Sequence, residues 1–379
     1  MAGGTIPRLG KWFWNDDLWL PPNMTWEDVV GRGDGAKHAR CEDLYYGVLL
    51  AILLLVIRYT LEKTAFRPLG VWLGIKDRGA NHRRPQEDHV FMNRFTANRC
   101  TMTQEQARLL ATELHVTERC VQLWVHHRNT QEKKLARFAE TAWRFLFYAH
   151  IFCYGLYVLW DKPWLWDTMH CWYDFPNHPV ADGIWWYYMI QLGFYTSCTA
   201  SHFVSTKRRD FWTMFAHHVV TITLLCLSWS CNLHRVGSLV LIVHDFADVP
   251  LEVARMARYV DRQRVADATF FLFTISWLVS RLGLYPYRVV YSAVFEAVTV
   301  VGMSSAYHVF CSLLLALQFM HVFWTWMIIQ AAMQAIRDRG IKTLGSDDES
   351  SEDEDLTNPR EAYQTGDNKE REAKTEKVD

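Results

Sequence analysis

Two adjacent histidines, His217 and His218, stand in the otherwise apolar stretch "DFWTMFAHHVVTITLLCLSWS" (210–230). Shortly after, "HDFADVPLE" (244–252) sets His244, Asp245, Asp248 and Glu252 in a second apolar stretch. On a helix these spacings gather Asp245, Asp248 and Glu252 along one face, with His244 one turn before Asp248. Thr221 lies one turn beyond both His217 and His218. An Asp at the centre of a membrane helix costs about 2.5–3.5 kcal/mol. Such residues therefore face the interior of a bundle and mark a functional path. Three chemistries suit two imidazoles and two carboxylates: catalysis with an imidazole as base or nucleophile beside a carboxylate, a metal site, or a buried His–Asp pair that locks two helices together.

The elements that position these residues follow from hydropathy and charge. The mean hydropathy of −0.09 looks soluble, but polar segments dilute several apolar runs. A membrane-crossing helix needs about 20 mostly apolar residues. Stretches 44–62, 143–160, 184–204, 211–231, 236–254, 267–285 and 306–331 qualify, which predicts an all-α polytopic membrane protein with seven transmembrane helices. Residues 1–20 lack the pattern of a cleaved signal peptide, so the first span reads as an uncleaved anchor. Basic clusters follow spans one, three, five and seven (Lys63 to Arg84, Lys207 to Arg209, Arg255 to Arg264, Arg337 to Lys342), whereas the alternate loops hold little beyond Lys162 and Arg235. Positive residues favour the cytosolic side, so the N-terminus is expected in the lumen and the C-terminus in the cytosol.

Depth is consistent with a shared site. His217 lies eight residues beyond Arg209, and Asp248 lies seven residues before Arg255. Both heights come to about 10–12 Å at 1.5 Å per residue. The connection "SCNLHRVG" is short, so spans four and five should be antiparallel neighbours. His217/His218 and Asp245/Asp248 are thus expected to meet in the cytosolic third of the bilayer.

Other segments carry their own signals. Asn23-Met24-Thr25 is a glycosylation acceptor on the expected lumenal side. The nine cysteines show no CxxC pair and no zinc spacing; Cys41, Cys171 and Cys231 fall at lumenal positions, where a disulfide would survive, but the sequence does not pair them. The tail block "SDDESSEDED" (346–355) carries seven carboxylates, which predicts disorder. Its Ser346, Ser350 and Ser351 each precede an acidic residue by three positions, the pattern an acid-directed kinase reads.

Between spans one and two, residues 103–134 read as two helices with a turn at "HVT" and a small core of Leu109, Leu110, Leu114, Val121, Leu123 and Trp124. "VQLWVHHRN" resembles the recognition helix of a homeodomain, commonly VQIWFQNRR. His127 occupies the position of the adenine-reading Asn, which is invariant in the DNA-binding form. The segment is also short and tethered between two membrane spans. A truncated homeodomain-like module in a stabilising or regulatory role is expected, and nucleic acid is not an expected partner.

Residues 210–256, from "DFWTMFAHHVV" to "HDFADVPLEVARM", resemble the Lag1p motif of the ceramide synthases. "KLARFAETAWRFLFY" (134–148), "DKPW" (161–164), the lumenal sequon, the homeodomain-like insert and the acidic serine-rich tail are similar to the same family, in its animal homeodomain-containing branch. One departure is "HDFADVP" in place of the commoner HDSAD followed by apolar residues; it retains both aspartates and adds Pro250.

The resemblance implies a TLC-type barrel of six helices, spans two to seven, with span one outside it. It implies this organisation: a lumenal segment 1–43, a first transmembrane helix 44–62, a truncated homeodomain-like insert 88–134, a TLC domain 138–334, and a disordered acidic tail 335–379. It implies an endoplasmic reticulum membrane protein, and homo- or hetero-dimers with related synthases. The reaction it implies is N-acylation of sphinganine or sphingosine by a fatty acyl-CoA, giving (dihydro)ceramide, with acyl-CoA as co-substrate and no other cofactor. On this reading His217 is the nucleophile that forms an acyl-imidazole and Asp248 its orienting partner, while His218 and Asp245 position the amine or shuttle its proton. Thr221, His244, Glu252, Arg255, Lys207 and Arg208 would bind substrate, the basic residues taking CoA phosphates. The link 289–305 resembles the region that tunes acyl chain length in the family. The competing readings are direct attack by the amine with His as general base, a non-enzymatic TLC-type lipid sensor or carrier, and a DNA-binding regulator.

Overall fold

The computed structural model describes residues 14–21, 24–30, 37–75, 104–113, 117–203 and 211–344. Asn23, Lys207, Arg208, Ser346, Ser350 and Ser351 lie outside the described residues, as does most of the tail.

Among the described residues every regular element is helical. The longer α-helices are α1 (Leu44–Leu61), α2 (Arg67–Leu73), α3 (Gln104–Glu113), α4 (Glu118–Leu159), α5 (Asp182–His202), α6 (Phe211–Ser230), α7 (His234–Tyr259), α8 (Gln263–Trp277) and α9 (Ser305–Leu344). After α8 the chain continues in wider π-type turns over Leu278–Val290 and Ser292–Glu296, then in a short helix to Val300. Helical structure therefore extends well into the link expected at 289–305. The segment is rich in apolar side chains, and the wider turns accommodate Pro286.

Among the described residues, five segments are long and apolar enough to cross a membrane: Cys41–Leu73, Trp124–Leu159, Phe211–Ser230, Gln263–Val300 and Ser305–Gln334. α5 and α7 have the length but stand apart, α5 by lower hydropathy and α7 by its charges. α5 spends its positions on Trp, Tyr and small polar residues, and α7 carries Asp245, Asp248, Glu252 and its arginines. α7 continues helical through Pro250.

The chain forms two compact units. One comprises 1–61, 141–256 and 263–331. In it α1 lies against α5 at an unusually close crossing: a β-carbon on Gly193 would sit 3.1 Å from the Gly47 carbonyl, and one on Gly47 would sit 2.5 Å from the Leu192 side chain. Small residues at the crossing let the two backbones approach, as in membrane helix pairs generally. α6 and α7 are joined by a tight turn whose Asn232 takes a positive φ of 55° and donates to the carbonyls of Pro176 and His178. Cys41, Cys171 and Cys231 are free thiols.

The other unit comprises 62–140, 257–262 and 332–379. Leu110, Val121 and Trp124 are buried in it, together with Ile75, Leu135 and Phe138. Leu109, expected in this core, is 67% exposed; its neighbour Leu110 takes the inward position. Gln131 donates to the Ile75 carbonyl, and Arg67 pairs with Glu132. The helix that carries "VQLWVHHRN" does not end near 134 but runs on to Leu159.

Candidate active site

α6 places His217, His218 and Thr221, and α7 places His244, Asp245, Asp248, Glu252 and Arg255. Both helices belong to the first unit, and Tyr195 of α5 packs against both histidine rings, with centroids 6.4 Å from His217 and 6.2 Å from His218. Asp245 and Asp248 are electrostatic neighbours of the same tyrosine. The structure thus collects the two histidines and two aspartates around Tyr195, without a hydrogen bond between either histidine and either aspartate.

Each carboxylate is held by something else. Asp245 is fully buried, and its Oδ2 accepts from the Tyr187 hydroxyl at 3.0 Å and from Gln191 Nε2 at 2.6 Å, both on α5. Its Oδ1 has no partner. Asp248 Oδ2 lies 3.6 Å from Arg281 Nη2. Arg281 is itself buried; it donates to the carbonyls of Val243 and His244 at 2.9 and 2.8 Å and lies over the Trp277 ring. A buried carboxylate bonded to neutral donors and a second one facing a guanidinium are chemically distinct groups.

The imidazoles are less committed. Nδ1 of His217 and Nδ1 of His218 are buried without a hydrogen-bond partner, as is the Thr221 hydroxyl. His217 packs edge-on against Trp324 of α9 at 5.3 Å and lies 5.8 Å from His218. His244 turns away from this pair: its Nδ1 lies 2.6 Å from the Val240 carbonyl, and its Nε2 lies 3.1 Å from Nε2 of His321 on α9.

Glu252 sits two turns from Asp245 along α7 in a separate ionic knot. Its Oε1 accepts from Arg144 at 3.0 Å and from Arg255 at 2.7 Å, and Arg144 also reaches Thr141. Glu252 is buried, whereas the Arg255 side chain is 34% exposed.

An apolar cavity of about 700 Å³, counting the space at its opening, runs along α6 and α7. Tyr195, Thr221 and His244 line its polar end, and Leu224, Leu241, Leu314 and Leu317 contribute to its walls. From Thr221 to Ser228 it follows about 10 Å of helix height, and Trp172 and Leu233 line it toward the α6–α7 turn. Such a shape, apolar with a few polar groups at one end, suits a long aliphatic ligand.

Residues 137–330 match the model of the TLC domain family. Mouse ceramide synthase 5 is 37% identical over 357 residues, covering 92% of this chain and 85% of the relative. The chain belongs to the ceramide synthase family. Human ceramide synthase 4 is 34% identical over 350 residues, covering 92% of this chain and 88% of the relative. The worm Caenorhabditis elegans ceramide synthase hyl-1 is 34% identical over 351 residues, covering 89% and 84%. The chain is accordingly an acyltransferase and a multi-pass membrane protein. Its polar core includes groups that the motif reading passed over: Tyr187, Gln191 and Tyr195 on α5, Arg281 in the π-type segment, and His321 on α9. Arg281 and His321 carried a legible signal, since both are ionisable residues inside predicted spans.

Proposed function

We propose that this enzyme N-acylates sphinganine or sphingosine with the acyl group of a fatty acyl-CoA, through an acyl-histidine on His217. The observation that carries this reading is the unpartnered, buried imidazole nitrogen of His217 close to the polar end of an apolar cavity. The acyl chain would lie in the cavity and present its thioester to the histidines. A ring nitrogen of His217 attacks the thioester carbonyl; the C–S bond breaks, and CoA leaves as the thiol with the imidazole proton. The amine then attacks the acyl-imidazole, the amide C–N bond forms, and the imidazole leaves. Asp248 supports the positive charge that develops on the ring during acylation, and His218 and Asp245 position the amine or shuttle its proton. Thr221 and His244 contact the substrate, while Arg255, held by Glu252, takes a CoA phosphate together with Lys207 and Arg208. No cofactor beyond the acyl-CoA co-substrate enters this scheme.

The same proposal covers the setting. Seven helices cross the endoplasmic reticulum membrane, with Asn23 glycosylated in the lumen and Ser346, Ser350 and Ser351 phosphorylated in the cytosol. Six of them form the TLC barrel over 138–334, and 88–134 is a homeodomain-like module without sequence-specific DNA binding. The working form is a dimer of this chain with itself or with a related synthase.

Acyl-CoA alone tests the mechanism. Purified protein should release CoA and gain one acyl mass on a peptide containing His217, and His217→Ala should abolish both the adduct and ceramide formation. Loss of the adduct in His218→Ala but not in His217→Ala would reverse the assignment. Ceramide synthesis with no acyl-protein would establish direct attack by the amine instead.

A further inference from the structure

Apart from the substrate contact assigned to His244, the His244–His321 pair has no part in that scheme, yet its hydrogen bonds fix its proton positions. A carbonyl only accepts, so the 2.6 Å contact with Val240 O puts the His244 proton on Nδ1. With both rings neutral, His244 Nε2 is then a bare acceptor, and the 3.1 Å contact puts the His321 proton on Nε2. That leaves Nδ1 of His321 as a lone pair. It is buried without a partner, on a residue only 1% exposed.

Its placement gives this lone pair a use. Leu314 and Leu317 of α9 line the cavity, and the same face continues to His321 and Trp324 at spacings of four and three. Trp324 packs on His217 and His244 lines the cavity's polar end, so His321 stands within a turn of residues that touch both. A long-chain primary amine is protonated at neutral pH, as lysine is. An ammonium has no lone pair with which to attack, so the second half of the proposed reaction needs a base.

We propose that His321 is that base, taking a proton from the incoming ammonium on Nδ1 while His244 holds its ring by the Nε2 bond. The assignment rests on the acyl-histidine reading. The ammonium N–H bond breaks, Nδ1 gains the proton, and the freed amine attacks the acyl carbonyl. The second amine proton passes to the departing His217 imidazole, and His321 returns its proton to solvent. The step is balanced: an ammonium and an acyl-imidazole give an amide, an imidazole and one proton. The titratable and charged groups facing His321 are His244 on α7, Tyr285 and Arg281 in the π-type segment, and His217 on α6.

His321→Gln separates base from scaffold, because a glutamine amide still donates to His244 but does not accept a proton at neutral pH. The purified full-length variant is loaded with acyl-CoA and then offered either sphinganine or hydroxylamine, an amine already unprotonated at neutral pH. Acyl loading and transfer to hydroxylamine should stay within about twofold of wild type. Transfer to sphinganine should fall about 100-fold, within the range for loss of a general base, and should recover as the pH is raised. Equal losses with both amines, or full activity with sphinganine, would overturn the assignment. If wild type forms no acyl-enzyme, the covalent scheme fails, but the ratio of sphinganine to hydroxylamine turnover still decides the role of His321: a selective loss supports it and an equal loss refutes it. His321→Asn is read in the same way if the glutamine variant does not fold.

Discussion

A methyl group on α4 should disable a carboxylate on α7. A β-carbon added at Gly155 would stand 2.7 Å from both the hydroxyl and Cζ of Tyr187 and 2.8 Å from its Cε2. Tyr187 is fully buried, so the ring has little room to retreat, and its hydroxyl is one of two donors that hold Asp245. Overpacking of this kind costs about 1–3 kcal/mol. Displacing the ring also forfeits a hydrogen bond to a charged group, about 1.5–3 kcal/mol. Gly155→Ala should therefore lose about 2.5–6 kcal/mol of stability in sum. Tyr187→Phe removes the hydrogen bond without the crowding. If Asp245 positions the amine, Tyr187→Phe should slow ceramide formation about 10- to 100-fold, since each 1.36 kcal/mol is tenfold in rate. The assays are ceramide formed by purified protein from acyl-CoA and sphinganine, and thermal unfolding in the same detergent. Adding Gly155→Ala to Tyr187→Phe should cost less than it does in wild type, because one of the three close contacts and the hydrogen bond to Asp245 are already gone, while the crowding against Cζ and Cε2 remains. Wild-type rate and stability in Gly155→Ala would refute the crowding argument, and a fully active Tyr187→Phe would show that the hydroxyl does not serve catalysis through Asp245.

Topology predicts that endoglycosidase shifts the protein band, that Asn23→Gln abolishes the shift, and that protease outside sealed microsomes clips the tail; a protected tail would overturn the seven-span arrangement. A peptide spanning 88–134 should bind duplex DNA at most weakly and with salt sensitivity, and a tight, sequence-selective complex at physiological salt would contradict the role assigned to His127. In the loop before α5, burial foremost, with help from the Arg235 charge, lowers the His178 pKa from 6.5 to about 4. Between those values the unfolded chain binds a proton that the native state refuses, so stability should fall as pH drops through that window, by about 3 kcal/mol in total; His178→Gln should flatten the profile, read from unfolding midpoints between pH 7 and 4.

What the sequence discloses here follows from how unusual a residue is in its surroundings. His217, His218, Asp245 and Asp248 stand out because an apolar helix makes each an anomaly, and the structure collects them around one tyrosine. Their partners are harder to see. Tyr187 and Gln191 lie in a helix so rich in Trp and Tyr that no single polar group stands out. That Asp245 is held by neutral donors and Asp248 by Arg281 depends on distant segments, and spacing within α7 carries no trace of it. Arg281 and His321 were anomalies of the same kind as the histidines, but neither falls inside the long motif that drew attention to α6 and α7. The exposure of Leu109 beside a buried Leu110, both expected in the core, has a simpler source: adjacent leucines both satisfy a loose helical pattern, and tertiary packing chooses between them.

The glycine crossing of α1 and α5 bears on what counts as the smallest working enzyme. The family match begins at residue 137, which invites expression of that portion alone. Removing α1 would uncover a furrow on α5 at Gly193, where another backbone now approaches to contact distance. The preceding segment is joined to the same body through Trp229, whose indole donates to the Arg40 carbonyl, and through Val180, whose amide donates to the Lys37 carbonyl. Lipid tails or detergent would fill the furrow without restoring those bonds. A truncated enzyme would therefore have a loosened α5, the helix that supplies Tyr187, Gln191 and Tyr195 to the candidate site, and the first span is better regarded as a buttress than as a leash.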